Sequence, residues 1–194
     1  MPAAYRAPER GSPPRSRRNG RRSLFWYGAA VTTEPRDAVA ADLPAILAIY
    51  NEAIPSRMAT ADLVPQSLEA RAAWFERRDR SRRPVLVLED AGEVVAWGSF
   101  SDFKERAAYA PTAEISIYVA GRAAGRGLGR RMLEALLARA PSCGIDRVLA
   151  ICFAHNEASL RLFRSRGFVE WGRLPEACDM MGTRRDILIL GWSR

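Results

Sequence analysis

The sequence predicts a mixed α/β fold, one sheet with helices on its faces, in the order β-α-α-β-β-β-α-β-α-β-β. Three observations carry that reading. Alternating, β-branched segments such as "AEISIYVA" recur between segments with apolar residues at helical spacing, such as "DLPAILAIYNEA". A tight-turn signal, "EDAGE", joins two of the extended segments as a hairpin. A strand also runs directly into a glycine-rich turn that opens a helix, "AAGRGLGRRMLEALLARA".

The elements follow in order. "PRDAVA" reads as a short first strand. In "DLPAILAIYNEA", Leu43, Ile46, Leu47 and Tyr50 form the apolar stripe of a first helix, with Asp42 placed to cap it. "PQSLEARAAWFERR" gives a second helix, capped by Ser67, with Leu68, Ala72 and Phe75 on one stripe. "PVLVLED" and "GEVVAWGSFSDF" are the hairpin strands, and "AEISIYVA" is the fourth strand. The helix Leu128 to Ala140 follows the glycine turn. Then come the strand "DRVLAICF", the helix "NEASLRLFRSR", and two closing strands, "GFVEWGRL" and "RRDILILGW". Trp74, Phe75, Trp97 and Phe103 read as core or dimer-interface aromatics, not ligand contacts.

Composition narrows the function classes. The 194 residues and 48% hydrophobic content fit one domain with a sizeable core. No apolar run approaches the ~20 residues of a membrane span, so no membrane partner is expected. Cys143, Cys152 and Cys178 are widely spaced with no CxxC pair, and His155 is the only histidine. A disulfide framework and a metal site are therefore not expected, and a cytoplasmic setting is. The net charge is +8, but residues 1–36 hold eight arginines and two glutamates, which is +6 of it. The remaining +2 does not describe a nucleic-acid surface. Residues 1–33 have the Pro, Arg, Ser and Gly content of a flexible tail, which leaves a domain over 34–194. "GRRSLFWYGAAV" has an arginine pair before a short apolar run, but no small-residue cleavage site follows as an export signal requires.

Gly125, Gly127 and Gly129 crowd the start of a helix, where glycine is a poor helix former. A strand, a glycine turn and a helix N-terminus aim several backbone N–H groups at one spot, and glycine removes the Cβ that would hold a ligand away. The turn is either an anion cradle, with a pyrophosphate as natural occupant, or a tight strand-to-helix connection. The spacing is not that of a dinucleotide-binding GxGxxG, and no GK[ST] follows as in a P-loop.

"AEISIYVAGRAAGRGLGRRMLEALL", followed by "HNEASLRLFRSRGFVEWGRL", resembles the GNAT superfamily of acetyl-CoA-dependent N-acetyltransferases. "IYNEAIPSRMATAD", "PQSLEARAAWF", "RAAYAPTAEISIYV" and "RRDILILGW" resemble its phosphinothricin and methionine sulfoximine acetyltransferase branch. The likeness spans Arg36 to Trp192. It implies the GNAT fold, acetyl-CoA as cosubstrate with no metal, and a small amino-acid-like primary amine as acceptor. A protein N-terminus or polyamine as acceptor, and a catalytically silent acetyl-CoA-binding module, are the alternatives. A homodimer is left open.

The resemblance also assigns roles. Glu114 on the fourth strand is the expected general base, since an amine must lose a proton before it attacks. Alternation puts Glu114 on the side of Ser116 and Tyr118, opposite Ile117. The backbone of Ile117, Tyr118 and Val119 is expected to hold the pantetheine arm as an added strand. Gly125, Arg126, Gly127, Leu128, Gly129 and Arg130 form the pyrophosphate loop, and Asn156 is a further coenzyme contact or an N-cap. Tyr109 and Arg57 match acceptor-pocket regions. No cysteine is read as an acyl acceptor, so direct attack is expected. The sequence departs from the family at three places. Ala124 stands at the loop's Gln/Arg position, leaving Arg122 or Arg126 to supply charge. Ala120 and Gly121 replace the usual acid-proline, which predicts a looser loop. Phe163 stands where many relatives place a proton-donating tyrosine.

Overall fold

The computed structural model describes residues 34–194; the expected tail over 1–33, with its arginine pair, lies outside the described residues. The elements are β1 (Arg36–Asp37), α1 (Leu43–Ala53), α2 (Leu68–Glu76), β2 (Val85–Asp90), β3 (Glu93–Asp102), β4 (Thr112–Val119), α3 (Leu128–Arg139), β5 (Arg147–Phe153), α4 (Glu157–Arg164), β6 (Val169–Asp179) and β7 (Arg184–Ser193). Their order is the one the sequence predicts. The seven strands form one sheet, β1-β2-β3-β4-β5-β7-β6, in which only β4 and β5 run parallel.

Period-two alternation sends apolar residues to both faces. Leu86 and Leu88 of β2, Phe100 of β3 and Ile115 of β4 join Leu128, Met132, Leu133 and Leu136 of α3, and Leu160 and Phe163 of α4, in one core. Val85, Val87, Val94 and Trp97 join Leu43, Ile46 and Ile49 of α1 and Phe75 of α2 in a second. Helices α3 and α4 therefore cover one face and α1 and α2 the other. The β2–β3 hairpin closes through Ala91 (φ +52°) and Gly92 (φ +83°), the doubly left-handed turn whose twist matches its strands. No helix among the described residues is long and apolar enough to cross a membrane.

Four local readings change. The first strand shrinks to Arg36–Asp37. Asp42 precedes α1 but does not cap it, because Arg36 holds its carboxylate at 2.7 Å and the Val39 N–H, at the start of the short 3-10 turn Ala40–Asp42, donates to it. That guanidinium keeps the Asp42 carboxyl below the usual carboxylate range. Helix α2 is capped by Ser67 Oγ, which accepts from Ala70 N–H at 3.1 Å, but Leu68 is exposed and Arg71 is buried. Strand β6 runs past Leu174 through Pro175, where a register shift marks a bulge; as an edge strand it tolerates a residue without an N–H.

Candidate active site

The site begins with a fork in the sheet. Strand β4 pairs with β5 only from Thr112 to Glu114, while its pairing with β3 continues to Val119. Beyond Glu114 the two parallel strands separate, and a cavity of about 240 Å³ opens between them. Ala120 N–H donates to Val95 on β3 at 2.9 Å. Alternation then gives the Tyr118 N–H to β3 as well and turns those of Ile117 and Val119 toward the gap. Of the three residues read as a backbone docking edge, two present free amides there and one does not.

Glu114 lies at the vertex of the fork and lines the cavity, with Ser116 and Tyr118 beyond it. Its carboxylate is half-buried and makes no ion pair among the described residues, so it is not an ordinary surface salt-bridge partner. Burial pushes its pKa up, because nothing nearby replaces the water lost by the charged form. Cys152 on β5 also lines the cavity. Burial, with Glu114 adding to it, pushes the thiol up to about 12, so at neutral pH it is a poor nucleophile. The sequence reading had no cysteine here; the structure brings one to the site, in its unreactive form. Burial likewise raises the Tyr118 phenol, whose ring stacks on Trp97 at 4.7 Å.

The glycine loop runs from the end of β4 into α3. Gly125 (φ +76°) and Gly127 (φ +77°) are left-handed, and a Cβ on either would meet nothing within 4 Å, so the loop surface is open. Gly129 does something else: inside the first turn of α3, its missing Cβ leaves room for Leu162 of α4, 3.3 Å from where that carbon would stand. The predicted looseness at Gly121 is not what the structure shows. Its N–H donates to both Glu52 carboxylate oxygens at 3.2 Å, and a Cβ there would lie 2.5 Å from one of them. The arginines are committed elsewhere. Arg126 pairs with Asp90 at 2.7 Å, Arg122 with Glu93 at 2.9 Å and Arg130 with Glu134 at 3.2 Å. The loop's capacity for an anion thus rests on backbone amides and on the start of α3, where Leu128 is buried as an anchor.

Asn156 is buried at the start of α4 and lines the cavity. Its Oδ1 accepts from Ser159 N–H at 3.1 Å, and its Nδ2 donates to the Met58 carbonyl at 2.7 Å. It is an N-cap that also ties the Met58–Ala61 segment across the cavity mouth. Phe163 lines the same cavity and carries no proton. His155 packs on Phe153, 5.4 Å between rings, and does not line the cavity. Tyr109 and Arg57 are not brought to it either. Tyr109 packs edge-on against Phe103 at 5.8 Å and borders a separate depression with Lys104, Glu105 and Arg106. Arg57 is exposed, in a left-handed conformation, with its guanidinium 3.1 Å from the Met181 sulfur. The residue types match the resemblance, but neither side chain lines the cavity, although Arg57 directly precedes the Met58–Ala61 segment that does.

Sequence reasoning missed a second cavity, of about 150 Å³, which shares Ser116 and Tyr118 with the first. Its wall is built by Arg71, Trp74 and Arg78 from α2 and the turn after it, with Tyr50, Trp97, Ser99 and Ser101. Arg71 is buried, its guanidinium 4.3 Å from the Tyr50 ring centre and 4.8 Å from that of Trp74. The Nε atoms of Arg71 and Arg78 and the Trp97 indole N–H are buried without acceptors. Each such donor costs about 1–3 kcal/mol if it stays unpaired. Trp74 and Trp97, read as core aromatics, are core and cavity wall at once. The signal was the arginine on an apolar stripe, which helical periodicity treats as noise.

Comparison with known proteins agrees with this architecture. The family model described as the Acetyltransferase (GNAT) family matches residues 45–168. YwnH of Bacillus subtilis (strain 168), which bears a provisional phosphinothricin acetyltransferase name, is 47% identical over 77% of this chain and 92% of its own. The L-methionine sulfoximine/L-methionine sulfone acetyltransferase of Pseudomonas paraeruginosa (strain DSM 24068 / PA7) is 38% identical over 80% of this chain and 91% of its own. The crystal structure of a GNAT superfamily phosphinothricin acetyltransferase from Sinorhizobium meliloti in complex with AcCoA superposes with a TM-score of 0.78 at 31% identity. That match covers 82% of this chain and 86% of the other.

Proposed function

Since the chain belongs to the GNAT acetyltransferase family and is an acetyl-CoA-dependent N-acetyltransferase, we propose that it acetylates the primary amine of a small amino-acid-like acceptor, of the methionine sulfoximine, methionine sulfone or phosphinothricin type. Glu114 is the general base. The observation that carries this is its half-buried, unpaired carboxylate at the vertex of the β4–β5 fork.

The residues present suit the coenzyme. Open left-handed glycines and the start of α3 offer amides to a pyrophosphate, and Ile117 and Val119 offer an unpaired strand edge to an extended amide-bearing chain. When bound, acetyl-CoA supplies an activated acetyl thioester. Glu114 takes a proton from the acceptor's ammonium, directly or through water, and its raised pKa brings it nearer to the amine in proton affinity. A fixed N–H on the gap side of β4 polarises the carbonyl to be attacked. Cys152 stays protonated, which favours direct attack over an acyl-cysteine route. Phe163 offers no proton, so the departing sulfur, a thiol of ordinary pKa, is left to solvent.

The test combines an acetyl-CoA consumption screen with one substitution. Amino acids and their sulfone, sulfoximine and phosphinic analogues are compared with polyamines and peptide N-termini. Glu114→Gln keeps the shape and removes the proton acceptor, and the rate on the best acceptor should fall about 10²–10⁴-fold with coenzyme affinity unchanged. The wild-type rate rises with pH as Glu114 ionises, in a limb above the ordinary carboxylate range, and the variant lacks that limb. A Glu114→Gln enzyme within a few-fold of wild type removes Glu114 as the base. Turnover confined to polyamines or peptides replaces the acceptor class.

A further inference from the structure

The second cavity holds cations and donors without counterparts. Arg71, only 7% exposed, has no hydrogen bond and no carboxylate on its guanidinium among the described residues; its neighbours are the rings of Tyr50, Trp74 and Trp97. Arg78 stacks on Trp74 and gives one Nη to the Phe100 carbonyl, while its Nε has no acceptor. The Trp97 indole N–H has none either. Ser99, Ser101, Ser116 and Tyr118 add hydroxyls, and no acidic residue lines the cavity. The nearby acids are committed: Asp102 pairs with Arg83 at 2.8 Å, and Asp62 accepts from Tyr50 at 2.7 Å and from Gln66 at 2.9 Å. Two guanidiniums and an indole N–H around a small space, with no internal anion, are complementary to a compact oxyanion.

We propose that this cavity binds the α-carboxylate of the acceptor, with Arg71 as its main partner and Arg78 as the second. This rests on the amino-acid-like acceptor read above and names what recognises it. The position fits. Ser116 and Tyr118 line both this cavity and the one at Glu114, and all three side chains stand on the α1–α2 face of β4. The Tyr118 hydroxyl feels both the Arg71 cation and the Glu114 carboxylate. An α-amino acid carries an ammonium and a carboxylate on one carbon, and the molecule presents a base in one cavity and a cation in the other, with Ser116 and Tyr118 common to both. Holding the carboxylate at Arg71 aims the amine at Glu114 and the fork. Three aromatic rings keep the guanidinium in place before the acceptor arrives, which lowers the entropic cost of binding. A carboxamide cannot match the charge, so the cavity selects acids over amides.

The test measures kcat/KM for L-methionine sulfone and for its α-carboxamide, in wild type, Arg71→Gln, Arg71→Lys and Arg78→Gln, with acetyl-CoA affinity by titration for each. Wild type should prefer the acid by at least about tenfold. In Arg71→Gln the acid should lose about 10–100-fold, the range of a charge-assisted pair, mainly through KM, and the preference should collapse toward unity. Arg71→Lys should recover part of it. Arg78→Gln, at the more exposed cation, should show a smaller collapse, and it carries the test should Arg71→Gln fail to fold. Equal losses on acid and amide in the folded variants would make the arginines structural and overturn the proposal. A wild type that acetylates the amide as well as the acid overturns it too, while leaving amine acetylation standing. A wild type that binds acetyl-CoA and acetylates neither overturns both this and the acceptor class.

Discussion

Two groups of arginines border the site, and they are built in opposite ways. Around the glycine loop, Arg122, Arg126 and Arg130 are each matched by an acid, Glu93, Asp90 and Glu134. Along α2 and just after it, Arg71 and Arg78 face a cavity with no acid in it. The first group sits where a resemblance leads one to expect phosphate-binding charge; the second sits against aromatic rings. Capacity for a ligand anion follows from the absence of an internal partner and not from the number of charges. In the proposed reading, the ligand near the loop is met by backbone amides, which cannot be neutralised by a neighbouring carboxylate. Near α2 the groups proposed to meet it are side chains, which could have been neutralised and are not.

That contrast predicts which changes matter. The largest effect on the coenzyme should come from the backbone. Gly127→Val puts a β-branched residue at φ +77°, in a region that costs an L-residue about 1–2 kcal/mol or more, on the open surface of the loop. Acetyl-CoA affinity should fall about 10–100-fold by calorimetry while circular dichroism stays that of the wild type. Wild-type affinity in a folded Gly127→Val protein would mean that the loop is only a connection. The smallest effect should come from the loop's own charge. Arg126→Gln removes a cation already paired with Asp90, and exposed pairs of this kind are worth about 0–1 kcal/mol, so affinity should change less than about fivefold. A tenfold loss would show that Arg126 leaves Asp90 for the ligand and would break the contrast between the two groups.

The parts of the molecule that were legible in the sequence are those where one residue sets the local structure. Alternation along "AEISIYVA" marked β4 and put Glu114, Ser116 and Tyr118 on one side, because strand periodicity survives any tertiary context. Gly125 and Gly127 marked a turn open to close approach, and both take left-handed conformations that few other residues adopt. What was not legible depends on partners far along the chain. Asp42 has the residue type of a cap, but Arg36 takes its carboxylate. Leu68 was placed on the apolar stripe of the second helix, yet it is exposed, and the buried residue is Arg71, whose guanidinium lies against three rings from α1, α2 and β3. Gly121 looked like a loosened loop until Glu52 supplied the tether. Tyr109 and Arg57 were nominated by position in a family pattern, but Tyr109 packs on Phe103 and Arg57 turns to Met181, so neither side chain lines the cavity.

The most direct test of the account concerns three adjacent amides on β4. The fork leaves the N–H groups of Ile117 and Val119 without a strand partner, while that of Tyr118 belongs to the β3 ladder. Residue-resolved amide hydrogen exchange, with and without acetyl-CoA, reads all three in one experiment. Ile117 and Val119 should exchange fast in the free protein and slow at least about tenfold with the coenzyme bound, while Tyr118 is already slow and changes little. Unchanged exchange at Ile117 and Val119 under saturating acetyl-CoA would contradict the fork as the place where the coenzyme docks.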